Sequence, residues 1–142
     1  MDLPDHCLRG LRTADLSKDG QVSAQAFKPN EKTAGARDDG AQESSVNWED
    51  DDTVLHQTLT ARNESGSLLF AHGAVRVPRA ELDHVAGLPQ VQHGFSYERS
   101  ALPGNPYHGN LLFHKHLPKQ TINLIIAFLA LVSSPVINHD DK

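Results

Sequence analysis

The sequence predicts an α+β fold, a small mixed sheet packed against an apolar C-terminal helix and one or two shorter helices. Three observations carry that expectation. Asn105–His114 reads as a turn running into a short apolar strand, Gly109–Phe113, and short apolar runs bounded by turn residues read as strands. Ile122–Val132 follows, apolar almost all round its axis, where a helix facing water would keep a polar side. Apolar side chains also concentrate in residues 66–137, while residues 28–53 hold few. At 142 residues the chain is one domain in length, taken as residues 1–142, and long enough to bury a core without disulfides.

The elements follow in order. Leu3–Leu16 mixes apolar and charged residues with Arg9 and Arg12 and reads as a strand and a short helical turn. Asp19-Gly20 marks a turn. A polar surface loop is expected over about 29–50, with few regular backbone bonds at 29–46, since so little apolar content cannot offset the entropy of ordering. Trp48 is the exception inside it, a large anchor to the core. Asp50-Asp51-Asp52 offers a helix N-cap with acids at the positive end of the dipole. Val54, Leu55, Thr58 and Leu59 then give a helix over 52–62.

Leu68–Val77 is a strand broken or bulged at Gly73. Pro78 opens a helix over 79–86 with Leu82, Val85 and Ala86 inward, and Gly87 with Pro89 closes it. Residues 88–106 read as irregular, Gly109–Phe113 as the next strand, and Pro118 as the start of a helix over 119–133. In that helix Ile125, Phe128, Leu129 and Val132 fall at i, i+3, i+4 and i+7 and should centre the core. Leu124, Ala127 and Leu131 lie opposite and are the expected partner-binding residues, for a partner protein or a second copy of the chain.

Composition excludes several classes of function. The formal charge of −5 lacks the basic footprint of a nonspecific nucleic-acid binder. A single cysteine, Cys7, excludes an intrachain disulfide and a multi-cysteine zinc site. Asp2, Asp5 and His6 stand where the apolar stretch of a leader would be, so a cytoplasmic protein is expected and Asn63-Glu64-Ser65 is not read as a glycosylation site. The longest apolar run, Leu124–Val132, is nine residues, against about 20 for a bilayer span.

Two clusters invite chemistry. Asp15–Ser23 mimics the start of a calcium loop, with acidic or hydroxyl residues at positions one, three, five and nine, but its twelfth position, where a bidentate Glu belongs, is Ala26; it reads as a plain Asp-Gly turn. The nine histidines include His114 and His116, which alternate on an extended stretch, and His108 at the other end of the Gly109–Phe113 strand. Asp83 and Glu98 lie within reach in the chain. Bare histidines without a spaced metal motif are mostly structural, so neither a metal nor a cofactor is expected. His108 remains the candidate catalytic residue, because turn residues at the rim of a rigid strand are where sites are usually built.

Leu8-Arg9-Gly10-Leu11-Arg12 and Asp19–Pro29, with Pro103-Gly104-Asn105-Pro106-Tyr107-His108-Gly109 later on, resemble a family of short bacterial proteins. Those begin with an arginine-containing strand and a Gly-x-x-Ser-Ser-x-Ala-Phe-x-Pro stretch and carry a later Pro-x-Asn-Pro-x-His-Ala pattern. Ser23, Phe27, Pro29, Asn105, Pro106 and His108 are the matching positions. The family's closing helix is charged and amphipathic, whereas this one is nearly all apolar. The resemblance implies an accessory gene of a defence- or toxin-type operon, hence an interaction protein acting through a partner. The alternative is a small hydrolase or nuclease using His108 with His114 or His116 as acid–base or metal groups.

Overall fold

The strands are β1 (His6–Gly10), β2 (Gln42–Trp48), β3 (Ala74–Pro78), β4 (Phe95–Arg99) and β5 (His108–Phe113), and they form one sheet in the order β3-β1-β2-β5-β4. The helices are α1 (Thr53–Thr60), α2 (Arg79–Ala86) and α3 (Lys119–Val132). This computed structural model describes residues 3–12, 16, 21–37 and 39–138. Asp15, Ser17, Asp19 and Gly20 of the calcium-like stretch and His139 lie outside the described residues, while Ala26 is buried in the core. The fold is α+β, with the C-terminal helix where the sequence places it.

The sheet, expected to be mixed, is antiparallel at each of its pairings. Two helical connections, β2–α1–β3 and β3–α2–β4, join strands that run the same way, but β1 and β5 are inserted between those strands. Every neighbour pair is therefore antiparallel, although the crossovers themselves are of the kind that link parallel strands.

Because side chains alternate along a strand, Cys7 and Leu8 leave β1 on opposite faces. On one face Cys7, Val46, Trp48, Val77, Leu111 and Phe113 meet α2, α3 and the 3-10 turn Ala24–Phe27, which forms the main core. On the other face α1 covers Leu8 with Val54 and Leu59. The helix punctuation works as the sequence suggests. Pro78 precedes α2 in extended conformation, Gly87 follows it, and Pro118 precedes α3. At the start of α1 the capping acid is Asp51, whose Oδ1 accepts from the Thr53 amide at 2.9 Å.

Two segments expected to be irregular are strands. Gln42–Trp48, placed in the polar loop over 29–50, is β2 at the centre of the sheet. Two of its polar residues are satisfied in place: Glu43 accepts from Arg37 at 2.7 Å and Asn47 donates to Thr58 at 2.9 Å. Phe95–Arg99, within the irregular stretch 88–106, is β4 and pairs with β5. Conversely, Leu68–Gly73 is turn rather than strand. Gly73 adopts φ +92°, and a Cβ there would stand 2.3 Å from the Ile137 carbonyl oxygen, so β3 can begin only at Ala74.

In α3, Ile125, Ile126 and Leu129 are buried, whereas Phe128 and Val132 are only partly covered. Phe128 sits beside His84, with ring centroids 5.7 Å apart, at the margin of the core rather than its centre. The helix is rotated so that Ile126 takes that place.

Candidate functional site

Two surfaces stand out. The first is the outward face of α3. Leu124 is 63% and Leu131 81% exposed, and Ala127 between them is exposed as well. Leu131 and Ala127 border a groove of about 690 Å³ whose other walls include Val22, Ala130, Pro135 and Val136. Among the described residues no charged side chain lines it. No helix among them is long and apolar enough to cross a membrane.

The second surface is a cavity of about 590 Å³ on the α1 side of the sheet. Its polar lining is a relay of amides. Gln57 donates to Asn105 Oδ1 at 3.4 Å, Asn105 donates to Asn47 Oδ1 at 2.9 Å, and Asn47 donates to Thr58 at 2.9 Å. Asn105 Oδ1 also accepts from the Tyr107 amide at 3.2 Å, which shapes the 102–108 turn over the cavity. The apolar walls are Leu8, Leu69, Phe70 and the half-exposed Leu102. Phe70 lies flat on Gly10: a Cβ at that glycine would come 2.2 Å from the ring.

His108 lines this cavity. Its Nδ1 donates to the Ser100 carbonyl at 2.9 Å, since a carbonyl oxygen can only accept. In the neutral ring Nε2 is then an acceptor. His114 and His116 stack with each other, centroids 5.8 Å apart, beyond the opposite end of β5. Six residues of extended chain separate His114 from His108, about 20 Å at roughly 3.3 Å per residue. The three histidines therefore do not share a site. Asp83 accepts from the Tyr97 hydroxyl, and Glu98 belongs to a different cluster. Among the described residues no group of three His, Cys, Asp or Glu could hold a metal ion.

That different cluster has no counterpart in the sequence reading. Arg37 reaches Asp39 at 3.0 Å, Glu43 at 2.7 Å and Glu98 at 3.1 Å, and Asn110 donates to Glu98 at 3.0 Å. Hydrogen bonds to Asp39, then Glu98 and Glu43, push the guanidinium pKa up. The same bond from Arg37, with one from the Ala41 amide, holds Asp39 down at about 2. Burial pushes Glu98 up, but its bonds from Arg37 and Asn110 outweigh that and leave it lowered. One arginine thus gathers three carboxylates, one of them also held by Asn110, into an ion-pair network at the polar end of the sheet face.

The remaining motif positions are architectural. Phe27 and Pro29 are buried, and the Ser23 carbonyl accepts from the Ala26 amide to close the 3-10 turn. Pro106 is exposed, and its carbonyl accepts from Arg99 at 3.4 Å. Asn47, Gln57 and Phe70, which build the cavity with Asn105, carry no motif. The one signal that could have found Asn47 is the alternation of Ser44, Val46 and Trp48, which puts Asn47 on the opposite face of a strand. Compared with protein-family models, with curated proteins and with solved structures, the chain matches none of them.

Proposed function

We propose that the protein is an accessory interaction protein that works by docking a helix of a partner protein against the outward face of α3. The observation that carries this reading is the exposure of Leu131 and Leu124 on one side of a folded helix whose other side buries Ile125, Ile126 and Leu129. A leucine ridge beside an uncharged groove suits the apolar face of an amphipathic helix, read as anchors at helical spacing. Three side chains and one groove are small against the roughly 800 Å² per partner of a stable homodimer, which favours a segment of another protein over a second copy. The likeness to short bacterial accessory proteins leans the same way. The hydrolase or nuclease alternative loses support, because His108 is separated from His114 and His116 and bonded to a backbone carbonyl.

The test is a photo-crosslinking residue at position 131 in otherwise native protein, with Leu124→Glu/Leu131→Glu as the control. The double variant should keep the native melting curve, because both leucines are largely in water already. The crosslink should map to an amphipathic helix of another protein and vanish when Leu124 is changed to Glu in the crosslinking chain. An unfolded double variant would place both faces in one core, and a crosslink joining two copies of this chain would make the face a self-association surface. Unchanged crosslinking in the Glu variant would show that the face is simply wet.

A further inference from the structure

The cavity on the α1 side is floored by a single face of the sheet. Leu8 pairs with Asn47, and Asn47 pairs with His108; partners in neighbouring strands send their side chains to the same face. Gly10, two residues on from Leu8, shares that face, and its missing Cβ is what lets the Phe70 ring lie there. From Gly10 to His108 the sheet spans about 12 Å, at roughly 3.3 Å per residue and 4.8 Å per strand. Phe70 and Leu69 wall one end of the cavity and His108, Gln57 and Asn105 the other. Leu102, 48% exposed, stands at the rim.

The polar end keeps two acceptors in reserve. His108 donates through Nδ1 to the Ser100 carbonyl, so Nε2 of the neutral ring is an acceptor. Gln57 donates one N–H to Asn105, and its Oε1 accepts no bond among the described residues. Neither Nε2 nor Oε1 is one of the buried unpaired side-chain atoms, so both reach accessible space. Asn105 holds the two residues side by side, its Oδ1 accepting from Gln57 and its carbonyl from the His108 amide at 3.4 Å. Among the described residues no carboxylate lines the cavity, but two guanidiniums do. Each is engaged within the chain: Arg62 donates to the Gly66 carbonyl at 2.7 Å, and Arg12 lies 5.8 Å from the centroid of the Phe70 ring. An ammonium ligand would therefore meet two cations and no counter-charge.

We propose that this cavity binds a neutral nucleoside. Its base lies against Phe70, Leu69 and Leu8, and two sugar hydroxyls donate to His108 Nε2 and Gln57 Oε1. A flat ring suits an aromatic wall, and such stacking accepts any base. Two neighbouring acceptors call for two neighbouring donors, which the vicinal hydroxyls of a ribose supply. A base joined to its sugar bridges the distance between the apolar and polar ends, and a volume of about 590 Å³ is that of a small-molecule pocket. The site lies across the sheet from α3, so it would serve a second function beside the docking face.

The test is isothermal titration of the full chain with adenosine, guanosine, cytidine and uridine, and with the free base, the 2′,3′-dideoxy form and the 5′-monophosphate of each, on wild type, His108→Ala and Gln57→Ala. At least one nucleoside should bind about tenfold tighter than its free base and its dideoxy form. Each variant should weaken that nucleoside about tenfold while leaving the dideoxy form unchanged, since only the hydroxyl contacts are lost. The monophosphate should bind no tighter than the nucleoside. No binding by any nucleoside, equal binding of a nucleoside and its dideoxy form, or binding indifferent to both variants would overturn the proposal. A monophosphate bound tenfold tighter than its nucleoside would overturn it too, by making the ligand an anion. Gln57 is half-buried on α1, so Gln57→Ala keeps the test decisive should His108→Ala fail to fold.

Discussion

Leu129 and Leu131 are two residues apart on α3 and differ almost completely in environment, one fully buried and the other 81% exposed. Truncating each to Ala changes the same atoms and the same helix propensity, so the difference in cost reports covering alone. A buried Leu→Ala change costs about 2–5 kcal/mol through lost transfer energy and the cavity left behind. Leu129 is packed in the main core, and roughly 3 kcal/mol is the expected loss. With only about a fifth of its surface covered, Leu131 should lose about 0.5 kcal/mol on area scaling. For a chain of this length each kcal/mol moves the melting temperature by about 3 °C, which gives ~10 °C for Leu129→Ala and less than ~2 °C for Leu131→Ala. Trp48 is the sole tryptophan and is buried, so its fluorescence in a urea titration reads global unfolding, with an unchanged slope as the check on two-state behaviour. If Leu131→Ala costs as much as Leu129→Ala, the outward face of α3 is covered in solution by this chain itself, and the reasoning from its exposure fails.

Two further outcomes follow from buried and paired groups. Burial, with a smaller contribution from the Glu49 charge, pushes the Cys7 thiol up to about 12 against the opposing pull of Arg9; a disulfide reagent at pH 8 should therefore find no reactive thiol in the native protein and one equivalent after unfolding, and native-state labelling would contradict the packing around β1. Asp39 and Glu98 are depressed mainly through Arg37, and a depressed carboxylate contributes stability above its unfolded pKa that disappears as pH falls through the folded one. The urea midpoint of the wild type should thus drop more steeply than that of Arg37→Ala from about pH 4 toward pH 2, and parallel curves would mean the cluster is too solvated to matter.

Helix punctuation made much of the fold legible. Pro78 and Gly87 bracket α2, and Pro118 opens α3, because those residues act through their own backbone and need no tertiary partner. The outward face of α3 was legible for a similar reason: helical spacing alone puts Leu124, Ala127 and Leu131 on one side. β2 was not, because Gln42, Glu43, Ser45 and Asn47 read as loop until β5 pairs with them on one side, while β1 at Asn47 and Asn30 with Thr33 at Glu43 take up the other. Phe95 and Tyr97 alternate in β4, but the charged pair Glu98-Arg99 hides the strand until Asn110 and Asp50 satisfy it. The cavity on the α1 side was beyond reach for a further reason: Leu8, Asn47, Gln57 and Phe70 come from four separate segments that only the folded sheet and α1 bring together.

The short pairing between β1 and β2 also bears on how the molecule opens. The sheet is two ladders, β3–β1 and β2–β5–β4, with a short seam between them that ends at Leu8↔Asn47. Past that point no backbone pairing between β1 and β2 holds the seam, and α2 spans it by packing on β3 at one edge and β4 at the other. Amide hydrogens within the two ladders are consequently guarded by strand pairing, whereas cohesion between the ladders is guarded by the helix layer. Exchange with deuterated solvent should sort the backbone accordingly, into two protected blocks whose relative motion is governed by how tightly α2 and α3 stay in place.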